Sequence, residues 1–352
     1  MRELHVDIAH AYNPAPPMPD IHVLPDLLVN QIAAGEVVER PAAALKELLE
    51  NSLDAGATDI QVTLDDGGIR RIRVQDDGCG IDRDQLVLAL ARHATSKIAS
   101  FEDLERVGTL GFRGEALASI ASVAHVTLAS RTAGARHGWK IEAHGGTLSE
   151  PEPAQGDRGT VVDVLDLYYN TPARRKFLRT TATEYAHAED WFLRIALARP
   201  DVAFRLTHNG KVNWRLPAQS PEERIAAILG ADFARASVGF EESAGPLTLR
   251  GFAGLPAAAR GSRDAQYGFV NGRFVRDRLL AHAIREAYRD VMHHDRHPAF
   301  VLFFELPAEL VDVNVHPTKT EVRFRESRGV HPFVRSVIER PLAASQPGAI
   351  PV

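Results

Sequence analysis

The sequence predicts an α+β protein with two domains, and three features support this. The chain has 352 residues, more than a single hydrophobic core usually organises. Segments with helical periodicity occur together with short β-hairpins and isolated strands. The polar stretch PAQSPEER, residues 217–224, separates two such sets and predicts a linker. We therefore expect one domain at 21–218 and a second at 219–336, with a loose extension at 1–20 and a tail at 337–352.

Composition and charge exclude several classes of protein. The chain is 45% hydrophobic and 25% charged, as ordinary soluble proteins are, and no apolar run is long enough to cross a membrane. Cys79 is the single cysteine, which excludes an internal disulfide and fits a reducing compartment. The net charge of −5 comes from 41 basic and 46 acidic residues, so any DNA contact must use a local basic cluster.

The first predicted element is a helix in RPAAALKELLENSLDAGA, residues 40–57. Pro41 suits the first helical position, because its missing N–H costs nothing there. Gly56 follows the last periodic residue and can take the left-handed conformation that ends a helix. The apolar face consists of Leu45, Leu48, Leu49 and Leu53.

Glu47 and Asn51 are four residues apart, so they lie one turn apart on the same face of this helix. A carboxylate can take a proton from water, and an amide oxygen can bind a hard cation such as magnesium. The alternative is a solvated surface pair, which the spacing alone favours because such polar pairs are common.

A hairpin follows the helix and ends in a carboxylate beside glycines. Ile60, Val62 and Leu64 alternate with polar residues, as do Ile72 and Val74, on either side of the turn Asp65-Asp66-Gly67-Gly68. The second strand leads into Asp76-Asp77-Gly78-Cys79-Gly80. As a carboxylate beside glycines, which leave the backbone open to close approach, Asp76 could accept hydrogen bonds from a ligand. The alternative is an ordinary Asp-Gly turn.

Two further helices in the first half have functional potential. The glycine-rich LGFRGEALASIAS opens a helix, whose N–H groups and dipole attract phosphate. Thr171 and Pro172 predict the cap and first residue of another helix, which continues through 192–198. The second helix has four basic residues, either a solvated face or a phosphate-binding patch: Arg174, Arg175, Lys176 and Arg179. A hairpin then turns at Asn209-Gly210.

The second half alternates strands and helices. Strands are predicted at 247–254, 266–270 and 299–306, and helices at 224–229 and 276–288. The order strand, helix, strand predicts a right-handed crossover connection between parallel strands. VDVNVHPTKTEVRF contains a further strand and a loop with Lys319, and a last helix begins near Val330.

Several of these segments occur in an order that resembles the GHKL ATPase superfamily. Their amino-acid sequences are most similar to those of the MutL mismatch-repair family. The resemblance extends from about Ile21 to Phe333 and is specific because the motifs occur as a series. The motifs are QIAAGEVVERP, ENSLDAGA, DDGCGI, ARHATSKI, GFRGEAL, YYNTPARRKFLR and VDVNVHPTK.

The resemblance implies a fold and a set of site residues. The fold is a GHKL (Bergerat) ATPase α/β sandwich followed by a ribosomal-S5-domain-2-like α+β domain. The implied cofactors are ATP and Mg, with Glu47 as the catalytic base, Asn51 as the Mg ligand and Asp76 contacting adenine beside Gly78 and Gly80. The resemblance also implies a lid, roughly Thr95 to Gly114, that closes over the phosphates. The other implied nucleotide contacts are Thr95, Ser96, Lys97, Gly111, Phe112, Arg113, Gly114, Glu115, Ala116, Leu117, Thr160 and, from the second domain, Lys319.

The resemblance also implies a function and partners. We expect a Mg-dependent ATPase of bacterial DNA mismatch repair, cytoplasmic and nucleoid-associated, in which slow hydrolysis controls lid order and the association of two N-terminal regions as a homodimer. MutS and a downstream repair nuclease or helicase are the implied partners, and the dimerisation domain that normally follows is missing from the chain. DNA binding without sequence preference is expected at Lys176, Arg273, Arg276 and Arg278.

Other functions share part of this pattern. One alternative is an ATP-switched DNA-binding scaffold, in which hydrolysis would be incidental. The two functions differ in whether the output requires ATP turnover or only a bound nucleotide. A gyrase-type topoisomerase fragment is disfavoured because the segments QIAAGEVVERP and YYNTPARRKFLR resemble the MutL family. A histidine kinase is disfavoured because no dimerisation helix precedes the predicted ATP domain.

Overall fold

The computed structural model describes residues 38–92, 94–95, 115–292, 295–313 and 320–345. Several predictions lie outside these residues: the extension at 1–20, nearly all of the lid, the end of the tail, and the site residues Ser96, Lys97, Gly111, Phe112, Arg113, Gly114 and Lys319.

The described part of the first half alternates helices with the strands of one sheet. Its elements are α1 (Pro41–Asp54), β1 (Asp59–Asp65), β2 (Arg71–Asp76), α2 (Arg83–Ala89), α3 (Ala116–Val123), β3 (His125–Arg131), β4 (Gly138–His144), β5 (Thr147–Leu148), β6 (Glu152–Ala154), β7 (Gly159–Leu165), α4 (Pro172–Arg175), α5 (Thr181–Ala198), β8 (Ala203–His208) and β9 (Lys211–Leu216).

The second half forms a separate sheet with helices of its own. Its elements are α6 (Pro221–Leu229), α7 (Ala231–Arg235), β10 (Ser237–Ala244), β11 (Leu247–Gly254), β12 (Gln266–Val270), β13 (Arg273–Val275), α8 (Arg278–Ala287), β14 (Phe300–Glu305), β15 (Val311–Asp312), β16 (Arg323–Phe324) and α9 (Ser327–Ala344).

The first predicted helix and hairpin are confirmed. The four leucines on the apolar face of α1 are buried, and burial of each contributes about 1.5–3 kcal/mol to folding. Gly56 follows the helix with a φ of 72°, as a left-handed terminator does. β1 and β2 pair in antiparallel fashion, so Val62 lies opposite Val74 in the core.

The first sheet has the strand order β5-β4-β3-β7-β2-β1-β8-β9, and β6 pairs with β4. Neighbouring strands are antiparallel except β1 and β8. α1 packs against α5, α3 and β2, so the helices form a layer over the sheet. This arrangement confirms the predicted α/β sandwich and places β2, which ends at Asp76, next to α1.

The continuous helix predicted after Pro172 is wrong. α4 ends at Arg175, Lys176 caps it, and Arg179 lies between α4 and α5. A new helix begins because Thr180 accepts a hydrogen bond from the Thr183 N–H, at 3.3 Å. Thr171, the predicted cap of α4, makes no capping hydrogen bond through its side chain.

The second sheet has the order β10-β11-β14-β12-β13. β12 and β14 are parallel neighbours with α8 between them in sequence, which confirms the parallel pairing of the predicted crossover. α8 packs on α9, and α9 packs on β10 and β11. β10 was not predicted. Within the described residues no helix has both the length and the apolar character to cross a membrane.

The predicted linker at 217–224 is packed between the two halves. Ser220 and Glu223 form a reciprocal capping box at the start of α6. Arg224 is fully buried and donates hydrogen bonds to backbone carbonyl oxygens of Ala196, Arg199, Pro200, Val202 and Pro217. A separate apolar cluster joins Leu197 and Ile225 to β12, β13 and β14. The chain therefore passes from one sheet to the other through an ordered junction.

The predicted boundary before the tail falls inside a helix. α9 continues to Ala344, and Val337, Ile338 and Leu342 are buried in the core of the second half. Residues 337–344 are therefore part of the packed structure.

Candidate nucleotide site and basic surfaces

Glu47 and Asn51 lie one turn apart on α1, and both are partly buried. The adjacent Lys46 is 7% exposed and forms ion pairs through Nζ with Glu47 Oε1 at 3.1 Å and with Glu50 Oε1 at 2.9 Å. Burial lowers the pKa of Lys46, but the charges and hydrogen bonds of Glu50 and Glu47 outweigh it, so the pKa is raised. The structure thus places a buried cation against the predicted catalytic carboxylate.

Asp76 lies at the end of β2 and is 9% exposed. Its carboxylate accepts hydrogen bonds from Ser52 Oγ at 2.8 Å, from the Gly78 N–H at 3.0 Å and from the Thr160 N–H at 3.2 Å. Burial raises the pKa of Asp76 despite these hydrogen bonds. Since Ser52 belongs to α1, its hydroxyl joins Asp76 to the helix that has Glu47 and Asn51.

Thr160 and Ser130 support Asp76 from the neighbouring strands. Thr160 lies directly opposite Asp76 in the antiparallel pairing of β2 and β7. Its hydroxyl is 2.9 Å from Ser130 Oγ, which also donates to the Gly159 carbonyl and accepts from the Ile81 N–H. Both side chains are buried. Neither Ser52 nor Ser130 was predicted, because no local spacing relates either of them to Asp76.

The two glycines after Asp76 are required by packing. A Cβ on Gly78 would lie 2.9 Å from both Cβ and the carbonyl oxygen of Ala55. Gly80 has a φ of 77°, and a Cβ there would lie 2.4 Å from the Arg131 carbonyl oxygen. The loop therefore fits closely between the end of α1 and the end of β3. Close approach of a base to these glycines stays a prediction.

Asp77 differs from its neighbour in environment. Its carboxylate accepts hydrogen bonds from the backbone and hydroxyl of Thr58 and from the Asp59 N–H, at 2.5–2.9 Å. Burial tends to raise the pKa of Asp77, but these hydrogen bonds outweigh it and the pKa is lowered. Asp77 therefore anchors the start of β1, which leaves Asp76 as the ligand-binding candidate of the pair.

The predicted phosphate-binding residues are only partly described. Ala116 and Leu117 form the first turn of α3, Glu115 precedes it, and all three are partly buried, as is Thr95. α3 packs against α1 and β4. The described part of this segment therefore lies in the same helical layer as Glu47 and Asn51.

The predicted DNA-contact residues fall in two different environments. Lys176, Arg276 and Arg278 are exposed. Among the described residues Arg278 makes no ion pair. The neighbouring Asp277 caps α8 by accepting from the Leu280 N–H at 2.9 Å, and Glu286 pairs with Arg289. The alternative in which Arg278 pairs with Asp277 or Glu286 is therefore not supported.

Arg273 does not fit the predicted DNA contact, because it is 8% exposed. Burial lowers its pKa, while the charges of Glu50, Asp54 and Glu47 on α1 oppose that shift. With residues of α1 and α5, it lines a cavity of about 230 Å³ between the two halves. Arg273 therefore extends the charge network of Lys46 and Glu47 into the second half.

Two family models match separate parts of the chain. Residues 39–147 match the histidine kinase-, DNA gyrase B- and HSP90-like ATPase family; this range runs from α1 through β4 and includes the Asp76 loop and all of α3. Residues 225–343 match the family described as DNA mismatch repair protein, C-terminal domain.

Curated relatives agree with both matches. The DNA mismatch repair protein MutL of Thiobacillus denitrificans is 60% identical over 331 residues, which are 94% of this chain and 55% of that protein. MutL of Ralstonia nicotianae is 61% identical over 323 residues, 92% of this chain and 50% of that protein. The chain belongs to the MutL family of DNA mismatch repair proteins. It spans about half the length of these MutL relatives.

Solved structures confirm the MutL fold. The N-terminal domain of a DNA repair protein superposes with a TM-score of 0.76 at 26% identity, covering 89% of this chain and 97% of that one. The Aquifex aeolicus MutL ATPase domain complexed with ADP has a TM-score of 0.61 at 28% identity, covering 88% and 100%. The chain therefore contains the N-terminal ATPase region that the motifs predicted, with the second α+β domain after it.

Proposed function

We propose that this chain binds ATP and magnesium between α1 and the end of β2 and hydrolyses ATP slowly as a switch in DNA mismatch repair. The observation that supports this most directly is the hydrogen bond from Ser52 to Asp76, because it brings the predicted adenine contact onto the helix with Glu47 and Asn51. The ADP complex of the Aquifex aeolicus MutL ATPase domain supports a nucleotide in this fold.

The residues of the site fit the proposed ligands. Of the four lone-pair positions on the Asp76 carboxylate, the three donors described above use three, and the fourth can accept an amino hydrogen of adenine. The amide oxygen of Asn51 is a hard ligand of the kind magnesium prefers. Bound magnesium would neutralise charge on the phosphates and hold them in line for attack.

Glu47 would act on water as the general base. Its ion pair with Lys46 Nζ, at 3.1 Å, holds the carboxylate in place on α1, where it can accept a proton from water. Arg273 contributes to the same network from the second half, which offers a route by which movement of that half alters Glu47. Lys319, together with the lid, would add charge at the phosphates.

Binding energy in such a site can be converted to movement. Closure of a lid over the phosphates would complete the site and associate two N-terminal regions, and hydrolysis would release them. DNA would be held at the exposed cations Lys176, Arg276 and Arg278 without sequence preference. A mismatch-recognition protein and a downstream nuclease or helicase would respond to the closed state.

The test is ATP binding and hydrolysis by the chain with and without magnesium, compared with Ser52→Ala. We expect magnesium-dependent turnover in the native protein. We expect Ser52→Ala to weaken ATP binding by about tenfold to a hundredfold, because loss of a hydrogen bond to a charged group costs about 1.5–3 kcal/mol. Thr183→Ala removes a hydroxyl on α5, outside the proposed site, and serves as the control. Equal ATP affinity in all three proteins would contradict the proposed position of the site.

A further inference from the structure

Three side chains with metal-binding atoms converge on the outer side of the second half. His282 and Glu286 lie one turn apart on α8, and His331 lies near the start of α9. His282 Nδ1 is 2.8 Å from His331 Nε2, and His331 Nε2 is 3.6 Å from Glu286 Oε2. All three atoms lie within 4.8 Å of one another. Each residue therefore presents one donor atom to a common point.

The two helices hold this arrangement in place. α8 and α9 pack together through buried residues of the second core, among them Ala283, Ala287, Val330 and Val334. His282 and Glu286 are each one position from a buried alanine, so their place on the helix is fixed by the packing. The cluster is therefore a consequence of the fold and does not depend on a loop.

The donor set and its spacing match a zinc-type ion. Zinc binds imidazole nitrogen and carboxylate oxygen at about 2.0–2.2 Å, so tetrahedral ligand atoms lie roughly 3.3 Å apart. The two measured separations, 2.8 Å and 3.6 Å, bracket that value. We propose that His282, Glu286 and His331 bind a divalent transition-metal ion of the zinc class. His282 is exposed, so water can complete the coordination.

Two arginines contact the same carboxylate and set the strength of the site. Arg289 Nη2 lies 2.6 Å from Glu286 Oε1, the oxygen that does not face His331, so Arg289 orients the carboxylate. Arg335 Nη1 lies 3.8 Å from Glu286 Oε2, the proposed ligand atom, and therefore competes with a metal ion. Arg335 Nε has another partner, Glu339, at 3.1 Å. Removal of the Arg335 charge should therefore strengthen metal binding.

A second group of the same composition provides a matched comparison. His125 Nδ1 lies 2.9 Å from His144 Nδ1, while the opposite ring nitrogen of His144 lies 3.6 Å from Glu142 Oε2. Because His144 uses different nitrogens toward its two neighbours, this trio cannot direct all its donors at one ion. It contains two histidines and one glutamate but lacks the convergence seen at His282.

The proposed ion would join α8 to α9 and stabilise the second half. A ligand that binds only the folded state raises stability in proportion to the logarithm of its concentration over Kd. This consequence is independent of the proposed ATP site, because His282 and His331 belong to neither α1 nor β2.

The experiment is calorimetric titration of the full chain with zinc chloride, without nucleotide, after treatment with a chelator. We expect one saturable site in the native protein and in His144→Ala. His331→Ala and His282→Ala should each weaken it by at least about tenfold, as loss of even an outer-shell partner does. Arg335→Gln should bind zinc more tightly than the native protein. Magnesium chloride should not compete, since imidazole ligands do not suit it.

Thermal unfolding with zinc gives a second readout for the same variants. Zinc should raise the unfolding temperature of the native protein and of His144→Ala, but not of His282→Ala. If His331→Ala fails to fold, His282→Ala decides the result, because that side chain is exposed. Zinc binding that is equal in the native protein, His282→Ala and Arg335→Gln would overturn the proposal, since Cys79 and the other histidines are common to all three.

Discussion

The end of β2 and the start of α8 both present charged residues that the sequence predicts to bind ligands, but they hold them in opposite ways. Asp76 is buried and has three hydrogen-bond donors, while Arg278, at the start of α8, is exposed and without an ion pair among the described residues. The first arrangement fixes one geometry for one ligand. The second leaves an exposed charge in water that can meet any phosphate. The contrast predicts that substitutions at buried charges change specificity or stability, whereas those at the exposed surface change only the salt-dependent affinity.

The largest effect is expected on ATP turnover, from Glu47→Ala in the proposed nucleotide site. Loss of a general base should lower ATP turnover by about two to four orders of magnitude, while ATP binding remains. Steady-state hydrolysis and nucleotide titration measure the two quantities separately. The control is Glu39→Ala, which removes a carboxylate outside α1. Normal turnover by Glu47→Ala would remove Glu47 from the mechanism.

Arg224→Met should lower the free energy of unfolding by about 3 kcal/mol or more, because several buried carbonyl oxygens lose their donor and each unsatisfied group costs about 1–3 kcal/mol. Burial lowers the pKa of Arg224 to about 10, with Asp201 opposing the shift, so the charge persists at neutral pH. Urea denaturation measures the loss.

Arg235→Met is the matched control, because Arg235 is 72% exposed and, among the described residues, its ion pair is with Asp232. We expect a change of no more than about 0.5 kcal/mol there. Similar losses in the two variants would show that the carbonyl contacts of Arg224 do not hold the junction together.

Asp76→Asn should separate recognition from stability. The variant can keep the bonds to Gly78 and Thr160, but it loses one acceptor oxygen, so preference for ATP over GTP should fall by about tenfold or more. Burial raises the folded-state pKa of Asp76 above its unfolded value. The folded state is therefore favoured at low pH, and this contribution is lost as pH rises through the folded pKa.

The asparagine variant has no such titration. Its stability should therefore fall less than that of the native protein between acidic and neutral pH, and urea denaturation at a series of pH values measures the difference. Calorimetry with ATP and GTP measures base preference. An unchanged preference would mean that Asp76 does not contact the base.

Local patterns predicted the elements of the site, and long-range pairing supplied its details. Periodicity and end signals were sufficient for α1 and for the β1–β2 hairpin, because both depend on neighbours in sequence. Thr160 reaches Asp76 only through the pairing of β2 with β7, 84 residues apart, and the resemblance supplied it without a physical reason. Ser130 depends on the same kind of contact and was missed.

Buried arginines mark the other limit of sequence reasoning. Arg224 ends the polar stretch predicted as a linker, and Arg273 belongs to the basic cluster predicted to contact DNA; nothing local in the sequence indicates that either is buried. The groups that interact with these two arginines come from distant segments. Arg224 donates to five backbone carbonyl oxygens, and the charges of carboxylates on α1 act on Arg273. Arg273, Arg276 and Arg278 are close in sequence, but Arg273 is buried whereas Arg276 and Arg278 are on the surface.

The smallest effect is expected on DNA affinity, from substitution of the exposed Arg278. Arg278→Glu should weaken binding to any DNA sequence and reduce the slope of log affinity against log salt by about one unit, because one phosphate contact is lost. Basal ATP hydrolysis should be nearly unchanged, since Arg278 lies at the start of α8 and not on α1 or β2. Arg235→Glu makes the same change in net charge at another exposed position and controls for overall repulsion. If both reversals weaken DNA binding equally, the effect is one of net charge. Arg278 is a DNA contact only if its own reversal changes the salt slope further.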